Sequence, residues 1–241
     1  MKRLLKVVLL FAPLACIQAD ELVFETGFEP PTYTTGALSG QNGFAGFGDV
    51  ENTFAFAGSQ AVIDSGASSG QLLGGHSLSY DSLTDPNQVV DVSVEAYITG
   101  NSHEVWDALA VDADTGFAGQ IEILGGNAMF GLANSSIGSV PVAFNTWNAF
   151  SLLFNFQTDS ESAYVNGTLI GTAPIVASGA TALTFFAFGY NDVFSASSDT
   201  AYFDNVEVVA SPEPFSLLLL GTIVGALGIR GSRYVRRRNP A

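Results

Sequence analysis

The chain has 241 residues, of which 47% are apolar, 12% aromatic and only 13% charged, with a formal charge of −15. That is too apolar and too aromatic for a disordered chain. A single cysteine excludes a disulfide framework and a Cys-based zinc site, and the negative charge excludes nucleic acid as a partner, because phosphates need clustered Lys and Arg. The distribution of charge says more than its sum. All eight basic residues, Lys2, Arg3, Lys6, Arg230, Arg233, Arg236, Arg237 and Arg238, lie at the two ends, and all 23 acids lie between Asp20 and Glu213. A body built this way has no Lys or Arg salt bridge. Any carboxylate it buries needs backbone N–H groups, a proton or a metal ion.

Taken in chain order, residues 1–19 read as a signal peptide: a basic start, an apolar stretch from Val7 to Ile17, and Ala19 as the cleavage position before Asp20. An uncleaved anchor is the second reading, although the apolar run is short for a bilayer. A lipid anchor on Cys16 is the third, with Pro13 where such sites favour Leu. Cleavage after Ala19 leaves a mature chain without cysteine, which suits export.

Residues 20–211 are enough for one well-buried core and show no sustained helical period. Residues 30–75, rich in Gly, Ser and Thr, predict edge strands and long loops. The acidic pair Asp81 and Asp85 beside Pro86 reads as a surface loop. Val90, Val92, Val94 and Ala96 alternate with Asp91, Ser93, Glu95 and Tyr97, which is the period of a strand with one buried face. Asp112 and Asp114 make an acidic hairpin turn without the length or terminal Glu of an EF-hand. Phe150, Leu152, Phe154 and Phe156 form a second apolar face. Asn166-Gly167 between Ala163-Tyr164-Val165 and Thr168-Leu169-Ile170 is a hairpin signal. Leu183–Tyr190 and Ala201–Val209 are two more strands, the first apolar on both faces and therefore central. Short strands and frequent glycine predict an all-β sandwich or barrel.

Several residues stand out as candidate sites. Alternation through Tyr202, Asp204, Val206 and Val208 puts the Asp204 carboxylate on an apolar face, and calcium is the hard cation that suits such a group. Within His103-Glu104-Val105-Trp106-Asp107, the acids Glu104 and Asp107 are three apart, which on a strand sends them to opposite faces and argues against a glycosidase pair. Neither His76 nor His103 has a second His at ligand spacing. No nucleophile elbow and no phosphate loop is present. Tyr97, Trp106, Trp147 and Tyr190 are the aromatics suited to stacking on sugar rings, or else to filling the core.

The C-terminal residues 212–241 read Pro212-Glu213-Pro214, then an apolar run from Phe215 to Ile229, then an arginine cluster ending in Arg236, Arg237 and Arg238. As a helix the run rises about 22 Å, a short transmembrane span whose arginines stay in the cytoplasm and leave the body outside. The three parts, in that order, resemble the PEP-CTERM sorting signal of Gram-negative bacteria. That resemblance implies an exported protein, held transiently or stably by the C-terminal helix and processed by an exosortase-like enzyme in a cell that makes exopolysaccharide.

The C-terminal half of the body, from Trp147-Asn148 through Ala163-Tyr164-Val165-Asn166-Gly167 to Phe203-Asp204-Asn205-Val206, resembles a concanavalin A-like or laminin-G-type jelly roll. In that group a structural calcium ties the first strand to the last, which makes Glu25 and Glu29 its co-ligands with Asp204. The expected function is a non-enzymatic surface or extracellular-matrix protein with a structural or adhesive role, including calcium-dependent binding of extracellular polysaccharide. The alternative is a glycoside hydrolase or lyase on the same fold.

Overall fold

The computed structural model describes residues 19–65, 72–100, 105–131, 136–191 and 198–212. Asp20–Pro212 forms one unit. Met1–Ala19 and Glu213–Ala241 form another, which apart from Ala19 lies outside the described residues. The signal peptide, the apolar run 215–229, Glu213, Pro214 and Arg236–Arg238 therefore carry no structural description. No helix among the described residues is long and apolar enough to cross a membrane.

The described body is all β. Its strands are β1 (Glu21–Thr26), β2 (Gly36–Ala37), β3 (Phe44–Gly46), β4 (Asp49–Glu51), β5 (Ala61–Ser65), β6 (Leu72–Asp81), β7 (Val89–Ile98), β8 (Trp106–Ala113), β9 (Gly116–Leu124), β10 (Asn127–Phe130), β11 (Gly138–Pro141), β12 (Trp147–Asn155), β13 (Ser160–Val165), β14 (Thr168–Pro174), β15 (Ala182–Tyr190) and β16 (Thr200–Ser211). Among the described residues they make two antiparallel sheets. One has nine strands, in the order β14-β13-β12-β7-β16-β5-β4-β2, with β1 also on β16. The other has seven, in the order β11-β10-β9-β8-β15-β6-β3. This is a sandwich, with the core between the sheets.

The periodicities of the sequence became the core faces. Val90, Val92, Val94 and Ala96 are buried on β7, and Phe150, Leu152 and Phe154 on β12. The expected hairpin joins β13 to β14 through Asn166 (φ 49°) and Gly167 (φ 73°), the paired positive values of a tight turn that matches strand twist. β15 is central, between β8 and β6, and sends Phe186, Phe188 and Tyr190 inward. Phe188 stacks on Phe203 of β16 at 4.6 Å, which locks the two sheets together. Residues 30–75 supply the edge strands β2 and β3, as expected. They also supply core groups that composition concealed: Tyr33, Leu38 and Phe44 are all buried.

β1 and β5 share one edge of β16. β5 pairs with residues from Thr200 to Phe203, β1 with residues from Val206 to Ala210. Just after Asp204, Asn205 and Val206 form a bulge opposite Val94, with Asn205 at φ 45°. First and last strands are thus joined by a ladder of backbone hydrogen bonds, and the bulge decides which way Asp204 faces.

Candidate functional site

Ala201 and Phe203 point into the core, and beyond the bulge Val206, Val208 and Ala210 do so. Asp204 keeps the parity of Tyr202, whose ring joins the outward Tyr97 and Trp147. The sequence expectation that Asp204 shares a face with Val206 and Val208 is therefore corrected: a bulge adds one residue and flips the alternation. Asp204 is nonetheless 0% exposed, because the loop from Asn52 to Gln60 folds over it.

That loop is held by carboxylates acting on its N–H groups. Asp204 Oδ2 accepts hydrogen bonds from Phe56 N (3.0 Å) and Ala57 N (3.1 Å), and its Oδ1 accepts one from Asn205 N (2.8 Å). At the loop's end Glu29 Oε1 accepts from Ser59 N (2.7 Å) and Gln60 N (3.0 Å), and Oε2 from the Ser59 hydroxyl (2.6 Å). At its start Glu51 accepts from Phe54 N (3.1 Å) and from the Thr53 hydroxyl. Burial pushes the Asp204 carboxyl up to about 6; the amide hydrogen bonds oppose the rise and the nearby Glu29 charge adds to it. Desolvation, the largest single influence, raises Glu29, but the hydrogen bonds from Ser59 and Gln60 together outweigh it and leave Glu29 below its ordinary value.

Sequence reasoning grouped Asp204, Glu25 and Glu29 as a calcium shell. In the structure the oxygens of Asp204 and Glu29 point at N–H and O–H donors, and Glu25 lies on β1 opposite Glu207. Among the described residues no group of three or more His, Cys, Asp or Glu side chains is placed to hold a metal ion. Backbone amides provide the compensation that a body without basic residues requires.

The held loop presents aromatic rings to the outer face of the nine-stranded sheet. Trp147, Tyr97 and Tyr202 stand in register on β12, β7 and β16, a row across three strands. Phe54 lies over this row, stacked on Trp147 (5.5 Å, 11°) and edge-on to Tyr97 (4.7 Å) and Tyr202 (4.9 Å). Phe56 meets Trp147 at 5.6 Å and 65° and is 46% exposed. The half-buried indole, with Phe54 stacked on it, and the more exposed Phe56 ring thus meet edge to face. Glu95, opposite Asp204 on β7, is raised above its ordinary value by burial and by the Asp204 charge.

No protein-family model and no curated protein matches this chain. Solved structures do. The carbohydrate esterase vb_24B_21 from Shiga toxin-encoding bacteriophage phi24B superposes with a TM-score of 0.54 at 12% identity, over 80% of this chain and 99% of that one. The binding domain of botulinum neurotoxin serotype G gives 0.53 at 11%, over 80% of this chain and 48% of the other. That of serotype D/C VPI 5993 gives 0.54 at 13%, over 83% and 52%. This chain spans about half the length of the two toxin binding domains. At such identities the likeness is one of fold.

The remaining sequence candidates divide. Of the four aromatics, Tyr97 and Trp147 face outward, whereas Trp106 and Tyr190 are buried in the core, edge to face at 5.1 Å. Phe54, Phe56 and Tyr202 join the outer cluster without having been singled out. His103 and Glu104 lie outside the described residues. Asp107 is buried on β8, opposite Glu122 of β9. Asp114 lies in the expected hairpin turn, and Asp112 lies on β8 just before it. Asp114 accepts hydrogen bonds from Thr181 N (3.0 Å) and Thr181 Oγ1 (2.9 Å), tying the turn to the start of β15. Asp81 and Asp85 cap their own loop by accepting from Leu83 N and Asn87 N.

Proposed function

We propose that this chain is an exported glycan-binding or adhesive sandwich of the concanavalin A-like kind, using the Trp147–Phe56 corner to hold sugar rings. One observation carries the reading: a buried carboxylate, Asp204, is committed to fixing the backbone beneath an exposed phenylalanine. Burying a charge is costly, and here it holds a ring that adds little to the core. Aromatic faces in a fixed corner pack on the apolar faces of pyranoses, and Glu51 and Glu95 beside them are acceptors for sugar hydroxyls. The solved carbohydrate esterase and toxin binding domains support the fold of this reading.

The export half of the reading rests on the sequence: a signal peptide ending at Ala19, and a sorting tail of Pro212-Glu213-Pro214, an apolar helix and Arg236–Arg238, processed by an exosortase-like enzyme. The body then works at the cell surface or in the extracellular matrix. There its own acidity repels anionic polysaccharide, so calcium acts as the bridge to such a polymer.

The test is a glycan-array and polysaccharide pull-down screen of the full chain, with calcium and with chelator. Wild-type protein is expected to bind. Phe56→Ala and Trp147→Ala are expected to bind about tenfold more weakly, and chelator to release acidic polymers. Binding by Phe56→Ala equal to wild type removes the corner from the reading. The non-catalytic part is tested by reducing-end release: none is expected, and release that Asp107→Asn abolishes would replace the binding reading with a hydrolase.

A further inference from the structure

Glu161 of β13 is 1% exposed, and neither of its carboxyl oxygens has a hydrogen-bond partner among the described residues. The alternation of β13 turns it inward with Ala163 and Val165. Its cross-strand neighbours are Phe154 of β12 and Ala173 of β14. From the opposite sheet Gly119 of β9 meets it, and a Cβ at position 119 would overlap Glu161 Oε2. Gly119 does not have a positive φ, so what the missing side chain provides is room for the carboxyl and not backbone freedom.

Among the described residues no other titratable group faces this carboxyl. β12 and β14 contain none, nor do residues 175–177 that follow β14. On β9 the single acid, Glu122, lines a groove on the outer face of its sheet with Asp107 and Asp112 of β8. On β13 itself Tyr164 alternates outward, and Asp159 before it is exposed. Burial alone pushes Glu161 up to about 8, so the side chain is a neutral acid in neutral solution. A buried carboxylate without a donor or a cation is costly, and ionisation therefore requires that the carboxyl reach water.

The sheet topology decides which wall gives way. Gly119 sits on β9, which is held on both sides by β8 and β10, whereas β14 ends its sheet and is paired on one side only, to β13. Two backbone hydrogen bonds flank the contact between Glu161 and Gly119. Val176 N donates to Ala118 O (3.2 Å) and joins the sheets, and Ile175 N donates to Asp159 O (3.3 Å) and closes the end of the hairpin. We propose that Glu161 is a pH-operated catch: as it loses its proton, the β13–β14 hairpin and residues 175–177 swing away from β9 and open this edge of the sandwich without unfolding the rest. The closed form is fully stabilised below the ordinary carboxylate range, and that stabilisation is lost as pH rises to about 8. The catch does not depend on glycan binding at the Trp147–Phe56 corner.

The experiment is hydrogen–deuterium exchange of the full chain from pH 6 to pH 8, corrected for intrinsic rates, with and without low urea. Protection of the Ile175 and Val176 amides is expected to fall by more than about tenfold over this range. It is expected to be indifferent to low urea, the mark of a local opening. Amides of β7 are expected to respond to urea, since they exchange on global unfolding. In Glu161→Gln, which cannot ionise, the fall at Ile175 and Val176 is expected to shrink below about twofold. Where that variant does not fold, carbon NMR of the Glu161 carboxyl in the wild type takes its place, with a titration midpoint expected well above the ordinary carboxylate range. Protection unchanged by pH, an equal urea response at Val176 and β7, an undiminished fall in Glu161→Gln, or a midpoint in the ordinary range each overturn the catch.

Discussion

Beside the nine-stranded sheet, two carboxylates end on backbone N–H groups: buried Asp204 holds Phe56 and Ala57, and half-buried Glu29 holds Ser59 and Gln60. On the outer side of the seven-stranded sheet, Asp107 and Glu122 end opposite each other. The shortage of basic groups is the same in both places, and the loop makes the difference. Where an irregular segment crosses a sheet, its unpaired amides are donors in need of acceptors, and a carboxylate beneath meets that need. Regular strands have already used their amides in the ladder, so an acid on such a face takes its hydrogen bonds from side chains, as Asp107 does from Asn191. The first arrangement ties a loop to a sheet, and the second sets two acids side by side on neighbouring strands.

The largest effect that sharpens this contrast is expected from Asp204→Ala. It strands the Phe56 and Ala57 amides and should cost about 3 kcal/mol in urea unfolding, with glycan binding lost as Phe56 swings free. Asp204→Asn, which keeps an oxygen acceptor, should cost less. A loss under about 1 kcal/mol for the alanine variant would mean the loop is held by something else.

Next comes pH. Burial raises Asp64 and Asp204 to about 6, Asp107 to about 7 and Glu161 to about 8. Between the ordinary carboxylate range and these values the folded state holds protons that the unfolded chain has released, so stability falls as pH rises through that window. Glu29 and Asp114 lie below their ordinary values. Their contribution is full above the ordinary range and is lost as pH falls through their lowered folded values. The melting temperature should therefore peak in mildly acidic solution and drop by roughly 5 °C by pH 8; a rise from pH 5 to pH 8 would contradict the sign.

A smaller change follows from Asp107→Asn, which removes the like charge facing Glu122 and keeps an oxygen for Asn191. It should raise the melting temperature at pH 8 by about 3 °C and leave it unchanged at pH 5, where Asp107 is already protonated. An equal shift at both values would make packing the cause. The smallest effect on stability is expected from Phe56→Ala, within about 0.5 kcal/mol, because its ring is half in solvent. Its thermal transition should overlay that of wild type while its glycan binding weakens about tenfold.

Some of the site could be read directly. The alternation of β7 predicted an outward Tyr97, and the turn at Asp114 pairs Asp107 with Glu122 when the hairpin is folded on paper. Here bulges at Ala108 and Ala118, one on each strand, cancel and leave that pairing intact. The bulge on β16 has no counterpart of that kind, so Asp204 turned to the face opposite the one its neighbours suggested. The contact between Asp204 and Phe56 joins residues 148 positions apart, a separation at which no local pattern carries information. Residues 30–75 concealed their core groups for a related reason: Tyr33, Leu38 and Phe44 come from short, irregular segments, with no period to reveal them.

The amino-acid order alone determined a strand-built body with its basic residues confined to both ends, because side-chain alternation and charge are local properties of the chain. Only the tertiary structure decided which acids meet amides and which meet each other. That depends on where a loop crosses a sheet and where one extra residue turns a strand over, and both are settled by packing between segments far apart in sequence.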